Sequence, residues 1–313
     1  MSNPGEERYQ LGLRCGKSPP MCFKVMRVPN ALRCPDRCGV LFTREHKSMI
    51  EMKGICKAYR VRKREAGIGN ALRGLFSRSY TEIQALRDMT FTIPTGQIVG
   101  YIGPNGAGKS TTIKILSGIL RPDSGECRVN GMVPWEDRKR YVSRLGVVFG
   151  QRSQLWWDVP VMDSFRLLQD IYRISEERFQ ENLDRLTNQL DLGDLLTAPV
   201  RTLSLGQRMR CEIAAALLHD PEVLFLDEPT IGLDAVSKLK VREFILEENR
   251  RKGTTVILTT HDMQDIDALC ERVLLIGKGL LLLDGPIEEI RAMAGENLST
   301  EESVADLYRR FGI

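Results

Sequence analysis

The chain has 313 residues, 42% hydrophobic and 27% charged, with a formal net charge of +4. That length can bury one large α/β core or two small ones, and the composition is ordinary for a globular protein. It holds no run of about eighteen apolar residues: the nearest stretch, Val273 to Leu283, is interrupted by Gly277, Lys278 and Gly279, so no membrane span is expected. The small positive excess does not mark a nucleic-acid binder, and no nucleic-acid partner is expected.

Residues 1–48 carry Pro4, Pro19, Pro20, Pro29 and Pro35 and no sustained hydrophobic period. They read as a disordered tail, or as the product of a start upstream of a functional beginning at Met49. No clean apolar segment follows the start, so a secretory signal is not expected. Cys15, Cys22, Cys34 and Cys38 match no zinc spacing, and no histidine lies between them. Cys56, Cys127, Cys211 and Cys270 fall in or beside expected core elements, where thiols act as small hydrophobes. Scattered thiols with no zinc spacing suit the reducing cytoplasm.

Met49 to Ile55 alternates as a strand and leads into Lys57-Ala58-Tyr59. From Arg60 to about Tyr80 the chain is basic, with Ile68, Leu72, Leu75 and Phe76 at helical spacing and Gly67, Gly69 and Gly74 interrupting. This predicts a short amphipathic helix, either a solvated face or a membrane-surface or partner-docking element. Met89 to Ile93 alternates again and ends at a Pro94-Thr95-Gly96 turn.

Gln97 to Ile102 reads as a buried strand. It is followed by Gly103-Pro104-Asn105-Gly106-Ala107-Gly108-Lys109-Ser110-Thr111 and then by a helix through Leu116. The loop fits G-x-x-x-x-G-K-[ST]. Its glycines let successive N–H groups curl inward on phosphate oxygens, and the helix start turns its positive end to the same anion. Lys109 can reach the β/γ-phosphates, and the Ser110 hydroxyl can ligate Mg²⁺.

A turn at Arg121 to Gly125, a strand near Glu126 to Val129 and a buried strand at Leu145 to Phe149 follow. Val161 to about Leu195 is predicted helical, with Phe179, Leu183, Leu186 and Leu190 on one face, as a separate lobe. Val223 to Leu226 and Thr254 to Leu258 are continuous apolar runs, as in parallel strands covered on both faces. Strands alternating with helices imply a mostly parallel α/β sheet. Two helices are expected at the end, near 287–294 and 301–310.

Asp227 and Glu228 stand at the C-terminal end of an apolar strand, where open parallel sheets bind ligands. One carboxylate there can hold Mg²⁺ and the next can orient or deprotonate a water. His261 ends the next strand. A lone histidine is most often structural, but at this strand end it can also hydrogen-bond a γ-phosphate. Gln151, in the loop after Phe149, carries an amide that can touch both Mg²⁺ and an attacking water. Trp156 and Trp157 in that loop are either core filler for the helical lobe or an anchor on another protein. Ser204 in Leu203-Ser204-Leu205-Gly206-Gln207 is a good N-cap, and a helix start can also hold an anion.

Tyr59, the 103–111 loop, Gln151, Leu203–Gln207, Asp227/Glu228 with Asp234, and His261 occur in one order. That order resembles the ATP-binding subunit of ABC transporters, from Met49 to about Pro286. The resemblance implies a P-loop NTPase fold with a mostly parallel sheet, an antiparallel β subdomain and a helical lobe at about 152–205, with 287–313 as a helical extension. It implies that Tyr59 stacks on adenine, Gly103–Thr111 is the Walker A loop, and Gln151 is the Q-loop residue. Ser204, Gly206 and Gln207 belong to the signature motif, Asp227 is the Walker B carboxylate and Glu228 the catalytic one. Asp234 is the D-loop aspartate and His261 the switch histidine. ATP and Mg²⁺ are the implied cofactors, with Ser110, Gln151 and Asp227 at the metal.

The family's usual signature reads Leu-Ser-Gly-Gly-Gln; here Leu205 replaces the first glycine, while its N–H and Gly206 remain. The resemblance further implies a dimer, with each ATP held between one copy's Walker A loop and the other's signature motif. It implies a separate transmembrane permease and a place on the cytoplasmic face of the cell membrane. The insert before Met89 and the 146–158 segment look like a NatA-like subgroup of ABC-2 type exporters. The alternative is a soluble ABC-type ATPase in translation or DNA repair, but the tandem units or long coiled coils of those proteins are not seen here.

Overall fold

In a computed structural model, the protein is described over residues 26–27, 48–62, 80–150, 152–294 and 298–313. Among the described residues ten strands are arranged in two sheets. The larger has β1 (Met26–Arg27), β10 (Leu280–Pro286), β9 (Arg272–Gly277), β4 (Ile98–Ile102), β8 (Thr255–Thr259), β7 (Val223–Asp227) and β6 (Leu145–Phe149), in that spatial order. The smaller has β3 (Tyr80–Pro94), β2 (Ser48–Arg62) and β5 (Ser124–Val129), all antiparallel.

Burial explains the sequence patterns. Every residue of β4 and of β8 is buried. Their side chains alternate between two cores: Ile98 and Ile102 join the cluster with the helical lobe, Val99 and Tyr101 the cluster with the antiparallel sheet. A strand covered on both faces has no polar side, hence the unbroken apolar runs. The end of β3 faces one core only, and there Met89, Phe91 and Ile93 are buried with exposed residues between them.

The position of the site follows from β4, β8, β7 and β6, which are consecutive and parallel. Their C-terminal ends open on one edge of the sheet. Helix α1 (Lys109–Leu116) follows β4, and α2 (Arg138–Val142) precedes β6. The lobe holds α3 (Val161–Tyr172) and α4 (Glu176–Leu190), and α5 (Leu205–Leu217) runs from it toward β7. Then come α6 (Ala235–Lys252), α7 (Met263–Leu269), α8 (Ile287–Ala294) and α9 (Thr300–Arg310). Helix α4 begins on a Ser175 cap with Glu176 and Glu177 in its first turn, which complements the helix dipole, and buries Phe179, Leu183, Leu186 and Leu190.

Several expectations change. Arg60–Arg62 and Tyr80 belong not to a helix but to a β-hairpin, where Tyr59 pairs with Ile83 and Arg62 with Tyr80; Ile68, Leu72, Leu75 and Phe76 lie outside the described residues. Cross-strand pairing thus carries β2 and β3 to 15 residues each, past the alternation that marks their buried parts. Within the stretch read as an unfolded tail, Met26 and Arg27 pair in parallel with Leu283 and Asp284 at the open edge of β10. The helical stretch from Val161 is two helices, because Arg173 takes a left-handed conformation with φ 54° and ends α3; a 3₁₀ turn at Gly193–Leu195 replaces the last part. Trp156 and Trp157 are exposed, so they do not fill the lobe core.

Candidate functional site

The loop after β4 is shaped by close approaches. A Cβ on Gly103 would lie 2.7 Å from Ile276 Cγ1 and 2.8 Å from its carbonyl oxygen; on Gly108, at φ 109°, it would lie 2.7 Å from the Ala85 oxygen. Only glycine fits either place. The turn between β9 and β10 braces the loop from outside: the Gly279 N–H donates to Ala107 O at 3.0 Å. No side chain caps α1 and no acidic residue stands in its first turn, so its N-terminal N–H groups and dipole are directed at the cleft.

Lys109, the first residue of α1, is buried. Its Nζ donates to the carbonyl of Gly103, and to that of Pro104 at 3.4 Å. Burial pulls its pKa below the usual lysine value, while the nearby charges of Glu228 and Asp227 pull the other way. The ammonium therefore sits in a partly desolvated place, where its attraction for a phosphate is stronger than in water.

Asp227 ends β7 and pairs in register with Thr259, whose hydroxyl donates to its Oδ1 at 2.5 Å. The Gly150 N–H donates to the Asp227 carbonyl at 2.8 Å, tying the end of β6 to the same point. Glu228 adopts φ 55°, uncommon for a residue with a Cβ, and is held there by its N–H on Thr259 O at 2.8 Å. Its Oε1 lies 3.0 Å from Nε2 of His261, which in turn is 3.4 Å from Lys109 Nζ. His261 lies two residues past the end of β8 rather than on it, and its side chain remains 46% exposed.

One cleft is therefore lined by Pro104 to Gly106, Gly108 to Thr111, Asp227 and Glu228. Tyr59 stands at its rim, with its hydroxyl 3.5 Å from Thr111 Oγ1. Gln151 lies outside the described residues. Ile83, opposite Tyr59 on β3, also lines the cleft, as do Gln84, Lys114 and Arg152. Sequence reasoning missed these four; Lys114, one turn beyond Ser110, was the accessible one. It also missed Thr259, whose only signal was a hydroxyl at the C-terminal end of a mostly apolar strand.

The remaining expected residues lie elsewhere. Ser204 caps α5 in a reciprocal box: its Oγ accepts from the Gln207 N–H at 3.2 Å, and Gln207 Oε1 accepts from the Ser204 N–H at 2.8 Å. Gly206 is buried where a Cβ would meet Ser237 Oγ at 3.0 Å. Asp234 caps α6, accepting from Ser237 N at 2.9 Å and Ser237 Oγ at 2.7 Å, which holds its carboxyl below the usual carboxylate range. None of Ser204, Gly206, Gln207 or Asp234 lines the cleft.

The profile of the family described as ABC transporter matches residues 86–231. The ABC transporter ATP-binding protein NatA of Bacillus subtilis (strain 168) is 31% identical over 208 residues, 66% of this chain and 84% of that protein. The chain belongs to the ABC transporter ATP-binding family. A Mycobacterium tuberculosis (strain H37Rv) relative, a fluoroquinolones export ATP-binding protein, is 38% identical over 205 residues, 65% of this chain and 66% of that one. A solved dimeric cassette in a post-hydrolysis state, bound to ADP and Pi, superposes with a TM-score of 0.62 at 26% identity, covering 76% of this chain and 98% of that one. The chain is thus an ABC-type ATPase with the α/β cassette fold. Among the described residues no helix is long and apolar enough to cross a membrane.

Proposed function

We propose that the protein couples ATP hydrolysis to export of a substrate through a separate transmembrane partner, docked on the cytoplasmic face of the cell membrane. The name of the fluoroquinolones export relative supports the direction. The exposed Trp156 and Trp157, with Arg208 lying 5.7 Å over the Trp157 ring, are suited to anchor that partner on the lobe.

The geometry of the cleft supports the following residue roles. Gly103 to Thr111 cradle the phosphates through backbone N–H groups, and Lys109 neutralises their charge. Tyr59 offers its ring to the adenine. Glu228 orients the attacking water and accepts its proton, and His261 hydrogen-bonds the γ-phosphate from beside it. Ser110 and Asp227, with Gln151, are the residues to hold Mg²⁺. An all-oxygen donor set suits that ion, and since the Thr259 hydroxyl bonds Oδ1 of Asp227, Oδ2 would be the oxygen to hold it. When bound, the metal neutralises charge on the β- and γ-phosphates.

The observation that supports a paired site is the separation just described. The cleft gathers the phosphate loop and both carboxylates, and the helix start at Ser204 to Gln207 lies apart from it. In a homodimer a second copy would supply that helix start, and Asp234, across the nucleotide. The experiment is Glu228→Gln in the purified chain. ATP binding is expected to persist, turnover to be lost and a nucleotide-trapped dimer to accumulate; near-normal hydrolysis would overturn the role given to Glu228.

A further inference from the structure

Asp265, in the first turn of α7, is fully buried. A carboxylate taken out of water costs several kcal/mol unless its oxygens are satisfied, so its partners show what the fold gains by keeping it. They come from three separate segments. The Thr230 hydroxyl and the Thr260 hydroxyl, the latter at 3.0 Å, both donate to Oδ2. Arg242, on α6, donates through Nε to Oδ1 at 2.7 Å. Both threonines are themselves buried.

Thr230 lies two residues after Glu228, and Thr260 immediately precedes His261. The carboxylate thus joins the backbone that carries Glu228 to the backbone that carries His261. Arg242 ties the same carboxylate to the helix capped by Asp234. A second clasp runs parallel to it: Lys238, also on α6, reaches Asp262 Oδ2 at 2.5 Å, and the Asp262 N–H donates to Thr260 Oγ1 at 3.0 Å.

We propose that Asp265 is a positioning residue for hydrolysis, which acts through Thr230 and Thr260 to hold Glu228 and His261 at their 3.0 Å separation. The inference rests on the proposed roles of those two side chains. Its signature is a loss in turnover rather than in nucleotide affinity, because an interaction made only at the transition state lowers kcat and leaves KM in place.

The test compares Asp265→Asn, Thr230→Val, Thr260→Val, His261→Ala and the Asp265→Asn/His261→Ala double variant in the full chain. Readouts are kcat, KM for ATP, binding of a fluorescent ATP analogue, and Tm. Misplacing a reacting group by a fraction of an ångström to 1 Å costs up to about 100-fold. Asp265→Asn is expected to lower kcat about 10–100-fold with KM within about twofold, and each threonine variant by about 3–10-fold. The double variant should lose less than the product of the two single losses, since the part of the Asp265 effect that runs through His261 is already gone.

Full activity in folded Asp265→Asn, a raised KM with unchanged kcat, or losses that multiply in the double variant would each overturn the proposal. If Asp265→Asn does not fold, the threonine variants decide: both at wild-type kcat would overturn it. Normal hydrolysis by His261→Ala and Glu228→Gln would instead remove the reading on which it rests.

Discussion

His219 makes the pH dependence of stability calculable. It follows α5, donates from Nε2 to Leu145 O at 3.1 Å at the start of β6, and stacks on Tyr172 with ring centroids 3.9 Å apart and planes 1° from parallel. Its Nδ1 is buried and has no hydrogen-bond partner among the described residues. Burial drives its pKa from 6.5 to about 4, with the Lys252 charge pushing the same way and the Leu145 carbonyl opposing. Between those values the unfolded chain binds the proton and the folded chain does not. This contribution to stability is therefore complete above pH 6.5, falls as pH falls, and is lost near pH 4. The difference, 6.5 − 4, or about 2.5 pH units at 1.36 kcal/mol each, is of order 3 kcal/mol. For a chain of this size, at about 2.1 cal/mol/K of unfolding entropy per residue, that is a fall in Tm of about 5 °C. His219→Phe keeps the stack and cannot take up the proton. At pH 7.5 it should be about 1 kcal/mol less stable, from the lost bond to Leu145. From pH 6.5 to 4.5 its Tm should fall less than that of the wild type, the other titrations being common to both. Parallel Tm curves, measured without nucleotide over that range, would refute the reasoning.

Lys109→Ala removes the buried ammonium at the helix start, and titration with a fluorescent ATP analogue should show affinity lost by more than about tenfold, roughly the worth of one charge-assisted contact. Mixing inactive Lys109→Ala and Ser204→Ala chains should restore up to about a quarter of wild-type turnover if one copy's cleft works with the other's helix start and random pairing leaves half the dimers with one intact site; no recovery in mixed samples would count against the paired site. Gly232→Ala should lower Tm by about 1–2 °C, from roughly 1 kcal/mol of left-handed strain. Its φ is 68° and the added Cβ would lie 2.6 Å from Leu205 Cδ2, so adding Leu205→Ala should recover part of the loss. An undiminished Tm in Gly232→Ala would show that the loop adopts another conformation.

The phosphate loop was legible because its spacing is local: Gly108, at φ 109°, and Lys109 are set by the curl of one turn into one helix, although the close approach of Ile276 to Gly103 and of Ala85 to Gly108 is tertiary. The apolar runs of β4, β7 and β8 were legible for a related reason, since a strand covered on both faces can carry no polar side. Caps such as Ser175 and Ser204 also act within one helical turn. The extent of β2 and β3 was not legible, because beyond their buried parts the strands are held by cross-strand backbone bonds that are indifferent to side chain. The break at Arg173 left no glycine to announce it.

The sequence by itself determined which groups are present, because each motif's chemistry is set by residues a few positions apart. Only the tertiary structure decided which of them meet. The spatial order β4-β8-β7-β6 is not the order of the chain, and it is this crossing that brings Lys109, His261 and Glu228 together and lets Asp265 accept from both Thr230 and Thr260. The same folding leaves Ser204 and Asp234 outside the cleft. Long-range pairing of strands depends on the total burial of two cores, a quantity no short stretch of sequence carries.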